Sequence, residues 1–117
     1  MIVDDDVHVL ESLSSLLREA GFEVIAVEDG STVLAKVLNE PPSLIVLDLM
    51  LPQMPGLEIC EALKSNVATQ HIPVIMLTAK AGGVDKIIGL KLGADDYVTK
   101  PFNPRELILR INRSLLM

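Results

Sequence analysis

Asp4, Asp5 and Asp6 stand in a row after a short apolar start, and a fourth acid, Asp48, ends the run SLIVLD. A hydroxyl, Thr78, ends PVIMLT, and an ammonium, Lys100, ends DYVTK. Neighbouring carboxylates repel and raise each other's pKa, so a folded chain crowds them only where something offsets the repulsion. Hard oxygen donors suit a cation such as Mg²⁺, which keeps several waters and takes one or two carboxylates together with phosphate oxygens. A hydroxyl and an ammonium beside them would serve an anion. Brought together, these residues could handle a phosphate group next to a divalent metal.

Residues so remote in sequence meet only if the fold carries them to one place. Between the acids and Gly21, apolar residues recur at Leu10, Leu13, Leu17 and Ala20, a helical spacing over Val7 to Ala20 with a glycine placed to end it. FEVIAV reads as a strand, and Val33, Leu34, Val37 and Leu38 give a second helix over Ser31 to Asn39. After Pro41-Pro42, SLIVLD is a nearly unbroken aliphatic run, the pattern of a strand covered on both faces of a parallel sheet. Leu57, Cys60 and Leu63 mark a third helix, PVIMLT a further strand, and Val84, Ile87, Ile88 and Leu92 a fourth helix closed by Gly93. DYVTK is the fifth strand. Asn103-Pro104-Arg105-Glu106 opens the last helix, with Asn103 as cap, Pro104 in the first turn and Glu106 able to reach back to the cap.

Five strands alternating with five helices predict a doubly wound α/β sandwich of three layers, its parallel sheet joined by right-handed crossovers. Every strand of such a sheet ends on one edge, where ligands bind. That edge would hold Asp4 and Asp5 after the first strand, Asp48 after the third, Thr78 after the fourth and Lys100 after the fifth. Asp6 reads instead as the cap of the first helix. Met54 and Gly56 would shape the loop after Asp48, Gly56 by permitting the turn into the third helix.

The 117 residues, half of them hydrophobic, fit one domain over residues 1–117. A formal charge of -6, with no run of Lys or Arg, speaks against direct nucleic-acid binding. Cys60 is the sole cysteine, so no internal disulfide forms, and it reads as an inert core residue. His8 and His71 have no partner at metal-ligand spacing and read as exposed. No signal peptide and no apolar run of about 18 residues is found, which predicts a soluble, cytoplasmic domain that does not enter a membrane.

The motifs VDDD, VLDLMLPQMPG, MLTA and GADDYVTKPF, in this order and spacing over the whole chain, resemble a response-regulator receiver domain, most nearly in the last third those joined to winged-helix DNA-binding domains. The resemblance implies the CheY-like strand order 2-1-3-4-5 and a phosphoryl-accepting switch of a two-component system. Its partner would be a sensor histidine kinase or phosphotransfer protein, and its chemistry would be limited to its own phosphorylation and dephosphorylation. Carried over residue by residue, Asp48 is the phosphoacceptor. Mg²⁺ or Mn²⁺ is held by Asp5, Asp48 and the Met50 carbonyl, with Asp4 acting through a water. Lys100 pairs with Asp48 and then with a phosphoryl oxygen, and Thr78 donates its hydroxyl to another. Thr78 and an inward-turning Tyr97 are the switch, and Pro101 follows a cis peptide after Lys100. Met50 and Lys80 occupy positions that tune dephosphorylation. The same resemblance implies a phosphorylation-dependent homodimer whose face carries Lys86, Asp96, Glu106 and Arg110; Asn112 replaces a usually basic position there.

Three rival readings have less in their favour. A haloacid-dehalogenase-type phosphatase expects a second aspartate two residues after the nucleophile, where this chain has Met50. A flavin or dinucleotide module needs a glycine-rich loop where VDDDVHVLE offers carboxylates. A phosphorylation-independent binding module of the same fold would normally have lost Asp48, Thr78 or Lys100. The short run before Asp4 and the apolar SLLM at the end lead to the expectation of a receiver excised from a longer regulator.

Overall fold

Residues of each aliphatic strand point alternately to the two faces of the sheet and fill two separate cores. The computed structural model describes residues 1–51, 54–78 and 93–116. Strands β1 (Ile2–Val3), β2 (Ala26–Val27), β3 (Ile45–Asp48), β4 (Val74–Thr78) and β5 (Asp96–Thr99) form one sheet of order β2-β1-β3-β4-β5, every pair parallel. Ile2, Val46, Ile75, Leu77 and Val98 pack with Leu10, Leu13 and Leu17 of α1 (Val7–Glu19) and with Leu107 and Ile111 of the C-terminal helix (Pro104–Leu115). Val3, Ile45, Leu47, Val74 and Met76 face the other way, among Val33 and Val37 of α2 (Val33–Asn39) and Ile59, Cys60 and Leu63 of α3 (Gly56–Lys64). This is the doubly wound α/β sandwich expected, in the expected strand order. Four α-helices lie among the described residues; the helix expected around Val84 to Leu92, with Lys80 and Lys86, falls outside them.

Differences from the periodicity have local causes. FEVIAV contributes only Ala26–Val27 to the sheet, because β2 pairs with β1 alone and β1 offers two residues, Ile2 opposite Ala26 and Val3 opposite Val27. The second helix opens as a 3-10 turn over Gly30–Thr32 before becoming α-helical at Val33, with Asp29 accepting from the Ser31 N–H and hydroxyl. Asp6 is the α1 cap and accepts from the His8 and Val9 N–H groups. At the other end Gly21, at φ 97, lets its own N–H reach Arg18 O and that of Phe22 reach Leu17 O, a Schellman closure. Asn103 caps the last helix through the Arg105 N–H. The expected reach-back of Glu106 is replaced: its Oε1 accepts from Arg110 one turn later, a charged donor that outcompetes a neutral amide.

Cys60 is fully buried, and burial pushes its thiol up to about 11, so it is an unreactive core residue. No helix among the described residues is long and apolar enough to cross a membrane. Ser14, on the inner face of α1, is 4% exposed, and its hydroxyl has no hydrogen-bond partner among the described residues. A buried hydroxyl left unsatisfied costs about 1–3 kcal/mol. Ser14→Ala removes that cost and improves helix propensity. It is expected to raise stability by about 1 kcal/mol and the Tm by about 4 °C; urea unfolding checks this, and a lower midpoint would contradict it.

Candidate functional site

The carboxyl ends of β1, β3, β4 and β5 bring Asp4, Asp5, Asp48, Thr78 and Lys100 to one edge of the sheet. Asp4 is 1% exposed and Asp48 4%, whereas Asp5 is exposed, and one carboxylate oxygen from each of the three lies within 4.8 Å of the others. Lys100 reaches across from the end of β5: its Nζ donates to Asp4 Oδ2 at 3.1 Å and lies 3.4 Å from Asp48 Oδ1. The ammonium therefore sits nearer to Asp4 while still pairing with Asp48, the residue that the resemblance pairs it with. Asp4 Oδ1 accepts from the Asp6 N–H at 3.0 Å, so both oxygens of this acid are engaged. The peptide bond between Lys100 and Pro101 is cis. Thr78 is buried at the end of β4, and its carbonyl accepts from the Lys100 N–H, which ties the two strand ends together.

Electrostatics at Asp48 run in two directions. Burial, then the charge of Asp4, raise its pKa; Lys100 and the Met50 N–H, which donates to Oδ1 at 3.3 Å, oppose this without cancelling it. For Lys100, burial pulls the ammonium down, but the charge of Asp48 and the hydrogen bond and charge of Asp4 outweigh it, and the pKa is raised. Among the described residues one ammonium thus pairs with two of three clustered acids, and the excess negative charge is what a bound cation would relieve. Oxygen-only donors, one exposed and two buried, fit a hard divalent ion. The Met50 side chain is 70% exposed beside this cluster.

Tyr97 is 7% exposed, with its ring in the core shared with α3. His8 and His71 are exposed, as their lack of partners implied. The face expected to carry charge pairs between subunits holds an intrachain network: Arg110 Nη1 donates to Asp96 Oδ1 at 2.7 Å and Nη2 to Glu106 Oε1 at 3.0 Å. Arg113, which sequence reasoning passed over, donates to Asp96 Oδ2 at 3.0 Å. Its spacing of three from Arg110 put both on one helix face and was the available signal. Burial raises the Asp96 pKa, but the Tyr97 N–H and Arg110 outweigh it, so the carboxyl is held below its ordinary 3.8. A depressed acid contributes stability above its unfolded pKa and loses it as the pH falls through the folded value. Asp96→Asn is therefore expected to be less stable than wild type at pH 7, and the difference is expected to close below about pH 4. Thermal melts across this range test it, and a gap that persists in acid would contradict it.

Gly56 has a role different from the one read in the sequence. Positive φ occurs among the described residues only at Gly21 and Gly93, so Gly56 is not needed for its backbone angles. It is needed for closeness: a Cβ there would run into the Asp48 carbonyl oxygen and lie 2.8 Å from Leu49 Cα.

This fold and edge match a known family. The family model of the response regulator receiver domain covers residues 1–112. The chain belongs to the response-regulator receiver domains, the CheY-like signalling modules of two-component systems, which are not classical enzymes. It is 45% identical over 115 residues to the DNA-binding response regulator MtrA of Mycolicibacterium smegmatis, covering 98% of this chain and 49% of MtrA. With the alkaline phosphatase synthesis transcriptional regulatory protein PhoP of Bacillus subtilis it shares 44% identity, over 98% of this chain and 47% of PhoP. A crystal structure of a response regulator from Chloroflexus aurantiacus superposes with a TM-score of 0.94 at 37% identity, covering 99% of this chain and 95% of that one. The chain spans about half the length of the curated relatives it matches.

Proposed function

We propose that this domain accepts a phosphoryl group on Asp48 from a phosphohistidine of a sensor kinase or phosphotransfer protein and so switches a regulator on. The observation that carries the reading is the convergence of Asp4, Asp5 and Asp48 at the carboxyl edge, with Lys100 paired to Asp4 and Asp48. An Asp48 oxygen attacks phosphorus, the bond from phosphorus to the donor's imidazole nitrogen breaks, and that nitrogen keeps the electron pair. The nucleophile must be ionised, and it has no proton to surrender. Burial and Asp4 work against ionisation, so Lys100 and the Met50 N–H are the groups of this chain that keep the carboxylate charged. Asp5, Asp48 and the Met50 carbonyl would hold Mg²⁺ or Mn²⁺, which when bound supplies positive charge against the transferred phosphoryl oxygens. The engagement of both Asp4 oxygens supports a role for Asp4 through a water rather than as a direct ligand. Lys100 would exchange part of its pairing for a phosphoryl oxygen, and the Thr78 hydroxyl would take another. Thr78 and Tyr97 would carry the change to the face of β5 and the C-terminal helix. There Asp96, Glu106 and Arg110 would trade intrachain for intersubunit pairs in a homodimer, to which the family pattern adds Lys86. In a regulator built like MtrA the controlled output would be DNA binding by another part of the protein.

Intact-mass spectrometry after incubation with acetyl phosphate, with and without Mg²⁺, followed by size-exclusion chromatography, tests this. One adduct that needs Mg²⁺, with a shift to dimer, is expected. No adduct under any condition would sink the phosphoryl-switch reading and leave a phosphorylation-independent binding module.

A further inference from the structure

We propose that Gly56 is a positioning residue for Asp48: by having no side chain, it lets the first turn of α3 lie against the backbone of the phosphoacceptor and hold its carboxylate in register with Lys100 and the other two acids. The inference rests on the phosphoryl-acceptor reading above, but metal binding tests it separately. Asp48 is the last residue of β3, so its side chain is aimed by the peptides on either side of it. On the sheet side the Leu49 N–H donates to the Leu77 carbonyl of β4 at 2.8 Å. On the α3 side the Gly56 N–H donates to the Leu49 carbonyl at 3.0 Å, and this helix backbone sits directly on residues 48 and 49. A Cβ at position 56 would collide with the Asp48 carbonyl oxygen, lie 2.8 Å from Leu49 Cα and lie 3.1 Å from Asp48 C. All three are backbone atoms, which cannot turn aside as the end of a side chain can. Either α3 backs away or the Asp48–Leu49 peptide moves, and the second carries the carboxylate and the Met50 N–H bound to it out of place.

The other side of the same loop is packed less rigidly. A Cβ on Gly30, in the turn before α2, would lie 2.9 Å from Ile59 Cδ1, 3.0 Å from Leu51 Cδ1 and 3.3 Å from the Met54 carbonyl oxygen. Two of these are side-chain ends that can rotate away. Gly30→Ala is therefore a graded version of the same perturbation, transmitted through Leu51 and Met54, and Gly56→Ala the severe one.

The test compares wild type, Gly56→Ala, Gly30→Ala and Ile111→Val, the last trimming the core on the opposite face. Each is measured below its melting temperature for Mg²⁺ affinity by isothermal titration calorimetry and for adduct formation with acetyl phosphate by intact mass. Gly56→Ala is expected to weaken Mg²⁺ binding by about tenfold, the scale on which lost outer-shell support acts. It is also expected to slow adduct formation by about tenfold or more, since about 1 Å of misplacement can cost 10²-fold. Gly30→Ala should fall between it and wild type, and Ile111→Val should lose stability but neither activity. A folded Gly56→Ala with wild-type Mg²⁺ affinity and rate overturns the proposal, as does an equal loss in Ile111→Val. If Gly56→Ala does not fold, Gly30→Ala decides: weakened Mg²⁺ binding supports the proposal and unchanged binding overturns it. A wild type that binds Mg²⁺ but takes no phosphoryl group defeats the acceptor reading alone, and the Mg²⁺ titrations then judge Gly56. A wild type that does neither overturns both.

Discussion

In Asp48→Asn the phosphoryl adduct is expected to disappear while the metal-free fold becomes more stable. The two effects share one cause. Asp48 is buried at the end of β3 with Asp4 beside it, and its raised pKa means that the protein disfavours its ionised form at neutral pH relative to the unfolded chain. Asparagine keeps the shape and the hydrogen bond from the Met50 N–H, but removes both the buried charge and the oxygen proposed to attack phosphorus. Melting in the presence of a chelator should therefore shift upward, by about 4 °C for each kcal/mol relieved in a domain of this size. Added Mg²⁺ should narrow the gap, because the wild type has the extra ligand and gains more from binding. Phosphorylation at another residue of Asp48→Asn would overturn the assignment of the acceptor. A lower metal-free Tm would show that the pairing of Lys100 with Asp48 outweighs the burial of the acid.

Lys100→Met should act in the opposite sense on stability. Its Nζ is, among the described residues, the cation nearest to two acids, at 3.1 Å from Asp4 and 3.4 Å from Asp48, and Asp4 is too deeply buried for water to replace it. Methionine retains the apolar stem and deletes the charge. Removing one partner of a fully buried pair costs about 3–5 kcal/mol. The Lys100 side chain is 27% exposed and partly screened by water, which lowers the expectation to about 1–3 kcal/mol, or roughly 4–12 °C in Tm. Mg²⁺ should restore more stability to this variant than to wild type, since a cation between the acids supplies the missing charge. Adding Asp48→Asn to Lys100→Met should recover part of the loss, because the groups are in contact and their effects do not add. A Lys100→Met protein as stable as wild type in chelator would refute this account. On the proposed phosphoryl reading its adduct should still form, although slowly, since no ammonium would then pair with a phosphoryl oxygen.

Among the described residues the clustered acids carry more negative charge than the Lys100 ammonium neutralises, a local instability that a bound divalent cation would relieve. Stability elsewhere, from the two aliphatic cores on either side of the sheet, tolerates it.

Most of the fold follows from local pattern. SLIVLD and PVIMLT carry the pattern of strands covered on both faces, and the helical spacing of Leu10, Leu13 and Leu17 that of an inward stripe, because burial of aliphatic surface dominates the energy and its period is set by backbone geometry. The parallel sheet then obliges Asp48, Thr78 and Lys100 to share an edge, whatever the details of the loops, since every parallel strand ends on the same side. Caps such as Asp6 and Asn103 were legible for the same reason: the donors that they satisfy are neighbours in the chain. What only the tertiary structure decided depends on distances between segments far apart in sequence. Sequence order does not say that Lys100 sits closer to Asp4 than to Asp48, that β2 is cut to two residues by the shortness of its only partner, or that Arg113 joins Arg110 on Asp96. Gly56 is the clearest case. A glycine eight residues after Asp48 looks like a turn residue from the sequence, and its close approach appears only when α3 is seen lying on the backbone of Asp48, where packing leaves no room for a single carbon.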